Sequence, residues 1–167
     1  MQEIVTSESA PSADTPALGA FPLDVEPARR GASQSDADDQ FVAMLKAYRG
    51  TGGIARAEEL TTLCRQRGGP DVATLARWIA RRQVICFDWQ SQTWLPFFQF
   101  SRNDLTLRPE LSGVFAELIG VYSPWALANW FARPKASLAN RTPVEALAYN
   151  FAAVLHAARV DRLNAGG

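Results

Sequence analysis

Apolar positions recur at helical spacing in three stretches near the front of the chain. Phe41, Met44, Leu45 and Tyr48 mark a first helix, expected to start at a cap supplied by Asp38 or Asp39. Gly50-Thr51-Gly52-Gly53 ends it. Ala57, Leu60, Leu63 and Cys64 predict a second helix over residues 56–66, broken by Gly68-Gly69-Pro70. Asp71 then caps a third, to about Arg82, with Val72, Leu75, Ala76 and Ile79 expected inward. The pattern changes to β-branched and aromatic runs at Val84–Trp89 and Thr93–Phe98, separated by Gln90-Ser91-Gln92, which predicts a short hairpin. Pro96 makes the second run an edge strand or one that ends early. From Leu111 the helical period returns, through Val114, Phe115, Leu118, Ile119 and Tyr122.

Two sharply punctuated short helices follow. Ser123 caps a helix with Pro124 in its first turn, where the missing N–H costs nothing, and Pro134 stops it near Arg133. Thr142-Pro143-Val144-Glu145 reads as a capping box. A last helix, broken near Asn150, carries Leu147, Phe151, Val154, Leu155 and Ala158, and its end from Asn164 onward is expected to fray. The fold class is therefore mainly α: an N-terminal helix-turn-helix-like three-helix unit, a short β-hairpin and a C-terminal helical unit. The organisation expected is a disordered acidic arm over 1–38, the three-helix unit with its hairpin over 39–100, and a helical partner-binding domain over 101–167. The arm lacks apolar periodicity to offset the entropy of ordering it; Phe21 and Leu23 are candidates for transient docking.

Charge sharpens this division. The formal net charge is zero. Residues 1–39 nonetheless carry acids at 3, 8, 14, 24, 26, 36, 38 and 39 against Arg29 and Arg30, while residues 40–82 are basic. Cys64 and Cys86 are too far apart for a CxxC pair, and His156 is the lone histidine, so no metal site is expected. Both cysteines read as small buried hydrophobes of a reducing compartment. Arg65 and Arg67 beside Cys64 would lower a thiol pKa, but its apolar helical position favours packing. The N-terminus has neither the basic start nor the apolar run of a signal peptide, and no window is long enough to span a membrane, which makes a cytoplasmic protein the default.

Three constellations carry candidate chemistry. A short glycine-containing turn between the second and third helices outlines a helix-turn-helix, and the hairpin would sit where a wing sits. Thr74, Arg77 and Arg81 share the face opposite Val72, Leu75 and Ile79, with Arg82 at its edge. Such a face suits phosphates and guanine edges, or is an ordinary solvated basic face. A homodimer would strengthen the DNA reading. Trp125, Trp130 and Phe131 on one short helix either form an external contact patch or are core with helices on two sides. Arg133-Pro134-Lys135 and Asn140-Arg141 put cations and an amide at the junctions, for a partner or for the helix carbonyls. Catalysis has little support: there is no nucleophile elbow, GxGxxG or Walker loop, and no cofactor is implied.

With these residues in hand, the chain resembles the antitoxin group called Xre/MbcA/ParS, in an uncharacterised proteobacterial branch. Trp130-Phe131-Ala132-Arg133-Pro134-Lys135 matches a W-hydrophobic-x-x-P-N run. Asn140-Arg141-Thr142-Pro143-Val144-Glu145-Ala146-Leu147 matches G-R-x-P-x-x-x-L, and Leu95-Pro96-Phe97-Phe98-Gln99-Phe100 resembles a P-x-F-Q-F segment upstream. Lys135 stands where Asn is usual, and Ala139-Asn140 where a turn glycine is common. The resemblance implies a non-enzymatic antitoxin whose C-terminal unit neutralises a cognate toxin, often a RES-domain enzyme that consumes NAD, and whose helix-turn-helix binds its own promoter. It implies that Trp130, Pro134, Arg141 and Pro143 form or shape the docking domain, and that Thr74, Arg77, Arg81 and Arg82 face DNA. Two further readings stand beside it: a DNA-binding transcriptional regulator without a toxin, and a small enzyme, which a loss of turnover on His156→Ala would reveal.

Overall fold

A computed structural model describes residues 26–167; the acids and apolar side chains before them, including Phe21 and Leu23, lie outside it. The chain is mainly helical with one small antiparallel sheet. Helix α1 spans Glu26–Tyr48, so Asp38 and Asp39 lie within the helix and do not cap it. The reason is local: after Pro27, in the first turn, no proline interrupts the run, and its Ala, Arg, Gln and Asp residues all tolerate a helix. The inward stripe of α1 is Phe41, Met44 and Tyr48, whereas Leu45 is exposed.

The turn after α1 carries a strand that three residues of sequence are too short to announce. β1 (Ile54–Arg56) is followed by α2 (Ala57–Arg67), α3 (Val72–Ala80), β2 (Phe87–Trp89) and β3 (Gln92–Pro96). The sheet order is β1-β3-β2, with Ile54 opposite Pro96 and Phe87 opposite Trp94. β3 is thus the central strand rather than an edge, and it is the other expectation that holds: the strand ends early, at Pro96. Pro96 is tolerated because it is the last residue of the strand, and the next N–H, that of Phe97, carries the β1 register one step further to the Gly53 carbonyl at 2.9 Å. Gly52, at φ +108°, packs so closely that a Cβ there would meet Phe97 Cβ at 2.9 Å. The hairpin turn is two residues, Gln90 and Ser91, both left-handed, and Gln92 belongs to the strand opposite Trp89.

The caps expected after α1 are in place. Asp71 accepts from the Thr74 N–H at 2.7 Å and opens α3. Ser123 accepts from the Ala126 N–H at 3.2 Å and opens α5 (Pro124–Ala132). Thr142 and Glu145 exchange reciprocal hydrogen bonds at the start of α6 (Pro143–Ala146). Asn150 is the break and caps α7 (Phe151–Ala165). Helix α4 spans Ser112–Leu118.

The main core takes side chains from both sides of residue 100. Phe41, Met44, Tyr48, Ile85, Phe87 and Phe98 pack with Leu111, Val114, Leu127, Phe131, Val144 and Val154. A smaller cluster under α2 and α3 holds Leu60, Cys64, Leu75, Val84, Leu95, Phe100 and Leu105. Gln99 is 1% exposed between them. Its side-chain carbonyl accepts from the Ile85 N–H at 2.7 Å, and its amide donates to the carbonyls of Ile85 at 2.9 Å and Pro96 at 3.0 Å. This amide replaces the ladder that residues 84–86, which precede β2, do not make. Tyr48 links the two halves by donating to the Ala128 carbonyl at 2.5 Å.

Candidate functional site

Helix α3 turns a different face inward from the one its aliphatic pattern suggests. Leu75 is buried and Trp78 and Ile79 are half-buried, while Val72 and Ala76 are exposed. Trp78 lies 6.4 Å from Phe100 and takes the inward position. The solvent face is therefore Val72, Ala73, Ala76, Arg77 and Ala80. Arg77 stays on it and donates to Thr74 Oγ1 at 3.0 Å. Arg81 and Arg82 do not belong to this helical face. Arg81 is the C-cap, and Arg82 has φ 54°, which swings it off the helix axis. Arg82 instead donates to the Tyr122 carbonyl at 3.3 Å. Asp71 beside this face has its carboxyl held below the usual range by hydrogen bonds from Thr74 and, less strongly, by Arg77.

The second candidate surface is built around the junction between α5 and α6. Lys135 and Arg141 pair across a single antiparallel bridge, with Lys135 N–H donating to the Arg141 carbonyl at 3.0 Å. Ala139 and Asn140 make the reversal, both left-handed at φ 55° and 59°. Asn does this readily; Ala carries a Cβ penalty of roughly 1–2 kcal/mol.

The aromatic residues at this junction serve the interior. Trp130 is 5% exposed, Phe131 is fully buried, and Pro143 is buried. These three shape the unit from within and present no contact face. Trp130 Nε1 donates to Asp161 Oδ2 at 2.6 Å, and Lys135 Nζ reaches the same oxygen at 2.8 Å while lying 4.7 Å from the Trp130 ring centroid. Lys135 is thereby committed to holding α7. Trp125 is half-buried, edge-on to Phe87 at 5.3 Å, and donates to Gln40 Oε1 at 2.8 Å. The residues that do face solvent are Pro134, Asn140 and Arg141, joined by one that sequence reading passed over: Tyr149, 75% exposed, with the Arg141 guanidinium 5.0 Å from its ring centroid. The signal was available, since Tyr149 follows the apolar positions of α6 and immediately precedes the Asn150 cap.

Asp161 has a stability consequence. Burial raises its pKa, but the hydrogen bonds from Lys135 and Trp130 and the Lys135 charge outweigh burial and leave it below the ordinary aspartate value. A lowered folded value stabilises the fold at pH above the unfolded pKa of about 3.9 and ceases to do so as pH falls through the folded value. Asp161→Asn is therefore expected to be less stable than the native chain at about pH 6, and the difference is expected to close toward about pH 2. Urea melts at both pH values check this; a difference that persists undiminished in acid contradicts it.

His156 is exposed on α7, and its side chain makes no hydrogen bond or ion pair among the described residues. Cys64 is buried, and desolvation pushes its thiol up despite Arg65 and Arg67; Cys86 is raised chiefly by burial, then by Asp88. Among the described residues no group of three or more His, Cys, Asp or Glu could hold a metal ion, and no helix is long and apolar enough to cross a membrane.

Two adjoining hollows, of about 690 and 520 Å³, share Gly50, Thr51, Phe100, Ser101 and Arg102 and so form one trough. One end is walled by Val144, Leu147 and Ala148 of the α6 junction, the other by Leu63 and Arg67 of α2. Gly69 seats the loop beside it so tightly that a Cβ would lie 2.8 Å from the Asp104 carbonyl oxygen.

Comparison of the chain with protein-family models, with curated proteins and with solved structures finds no match.

Proposed function

We propose that this chain is a non-enzymatic, antitoxin-like binding protein whose C-terminal unit docks on a partner protein, a toxin encoded beside it, of RES type if the resemblance to the Xre/MbcA/ParS group extends to the partner. The observation that carries the reading is the Arg141–Tyr149 pair. It stands out on the same junction that bears the Trp130-to-Lys135 and Asn140-to-Leu147 motifs. Tyrosine and arginine dominate the energetics of protein interfaces, because each supplies large contact area with a polar tip. An exposed tyrosine held against a guanidinium is already ordered, so less entropy is lost on docking. Trp130, Lys135 and Asp161 contribute by fixing the junction rather than by touching the partner. Co-expression with the product of the adjacent gene is the test. A complex that survives gel filtration supports the reading, and failure of every flanking gene product to bind rejects it.

A second reading, promoter binding by the N-terminal unit with or without a toxin, is favoured by connectivity. The order α1-β1-α2-α3-β2-β3, with β3 between β1 and β2, is compatible with a winged helix-turn-helix; on this reading α3 would be the recognition helix and Gln90-Ser91 the wing tip. The small residues Ala73, Ala76 and Ala80 would let α3 approach a groove closely, with Arg77 as its base- or phosphate-reading side chain and Arg81 at its end. Binding to the upstream DNA is expected to weaken with salt, and Arg77→Ala with Arg81→Ala to weaken it by about ten-fold or more. Mobility-shift titrations at two salt concentrations check this; unchanged affinity removes α3 as the DNA face.

A further inference from the structure

The trough between α2 and α6 has a chemistry that neither candidate surface uses. Arg49, Arg67, Arg102 and Arg108 line it. Its one acidic lining residue, Glu110, is already engaged by Arg108 at 2.7 Å. Arg49 and Arg102 have no carboxylate partner among the described residues, and Arg67 Nη1 donates only to the Arg102 backbone carbonyl, at 3.2 Å. Three exposed cations from the ends of α1 and α2 and from the loop after β3 thus converge without counter-charge. Beneath them the lining is mixed, with Thr51, Ser101 and Thr106 beside Leu63, Leu107 and Leu147; of its three rings Phe98 and Phe100 are buried and Phe97 is half-buried.

We propose that this trough receives an extended acidic segment of a partner protein, its carboxylates against Arg49, Arg67 and Arg102 and its apolar side chains against the inner lining toward Leu147. The inference rests on the reading of the chain as a protein-docking module, because the trough opens onto the α6 junction. Charge complementarity selects an anionic occupant. Arginine's planar fork matches carboxylates two bonds at a time. With two of the three rings buried, only the half-buried Phe97 is left for a base to stack on, which disfavours a single-stranded nucleic acid, whose binding relies on successive exposed aromatic faces.

The test uses the full chain and a fluorescein-labelled peptide of sequence Glu-Leu-Ser-Glu-Phe-Glu-Ser-Leu-Glu, with its lysine-for-glutamate counterpart and a short oligothymidylate as the other probes. Anisotropy is expected to rise and saturate with the acidic peptide alone and to fall with added salt. Arg67→Glu with Arg102→Glu is expected to weaken that binding at least about ten-fold while the thermal melt stays that of the native chain. If the reversed variant melts early, Arg67→Gln with Arg102→Gln replaces it, with a weakening in the same direction expected. Failure of the acidic peptide to bind, equal binding of the lysine peptide, affinity indifferent to both double variants, or preferential binding of the oligothymidylate overturns the proposal. If the peptide fails but the adjacent gene product still binds, only the trough is rejected; if the peptide binds and no gene product does, only the wider function is rejected.

Discussion

Gln99→Leu is expected to lower the unfolding free energy by about 3 kcal/mol or more, a large share of the roughly 5–15 kcal/mol that holds a domain of this size together. Leucine is similar in bulk, though shorter and branched at Cγ, so most of the space stays filled. The loss is polar. One buried amide satisfies the N–H and C=O of Ile85 and the C=O of Pro96 at 2.7, 2.9 and 3.0 Å. Leucine offers none of these bonds, and water cannot reach groups beside a residue 1% exposed. Each orphaned buried group costs about 1–3 kcal/mol, less than additively. Because Gln99 ties the segment before β2 to the end of β3, the damage spreads to the sheet and to the Phe98 contact with Phe131 at 5.0 Å. Chemical denaturation checks the value. A loss below about 1 kcal/mol would mean that the segment finds other partners.

Arg141→Glu combined with Tyr149→Ala is expected to weaken association with the partner by about 100-fold, most of it in the dissociation rate. The melt should move little, since both side chains are exposed and neither supports the core. Truncating Tyr149 removes contact area and the ring under the guanidinium; reversing Arg141 places an unpaired charge in the interface. Lys135→Met offers the contrast. Its loss is expected to act on stability through Asp161 and Trp130, and on binding only by loosening the junction. Surface resonance with the double variant separates the two cases. A dissociation rate equal to that of the native chain would move the interface elsewhere.

What was legible in the sequence was local. Asp71, Ser123-Pro124, Thr142 with Glu145, and Asn150 each act within three or four residues, so spacing alone identifies the helix starts. The unread features depend on distant partners. β1 is a strand only because Ile54 meets Pro96, and without it β3 looks like an edge. The face of α3 is set by Trp78 turning toward Phe100, a choice that aliphatic periodicity does not register. Lys135 and Trp130 read as contact residues until Asp161, supplied by α7, claims both. Of the candidate DNA residues, Thr74 and Arg77 keep their places on the helix; Arg81 and Arg82 lose theirs because the helix ends at Ala80, short of the Arg82 that sequence suggests. The trough was invisible for the same reason, its arginines being brought together from positions 49, 67, 102 and 108.

Calorimetric titration of the adjacent gene's product into the full chain, with that product's own activity followed in the same cell, bears most directly on a binding rather than catalytic role. The account predicts saturable heat at a fixed stoichiometry and a matching fall in activity. No heat, or full activity at saturation, contradicts it.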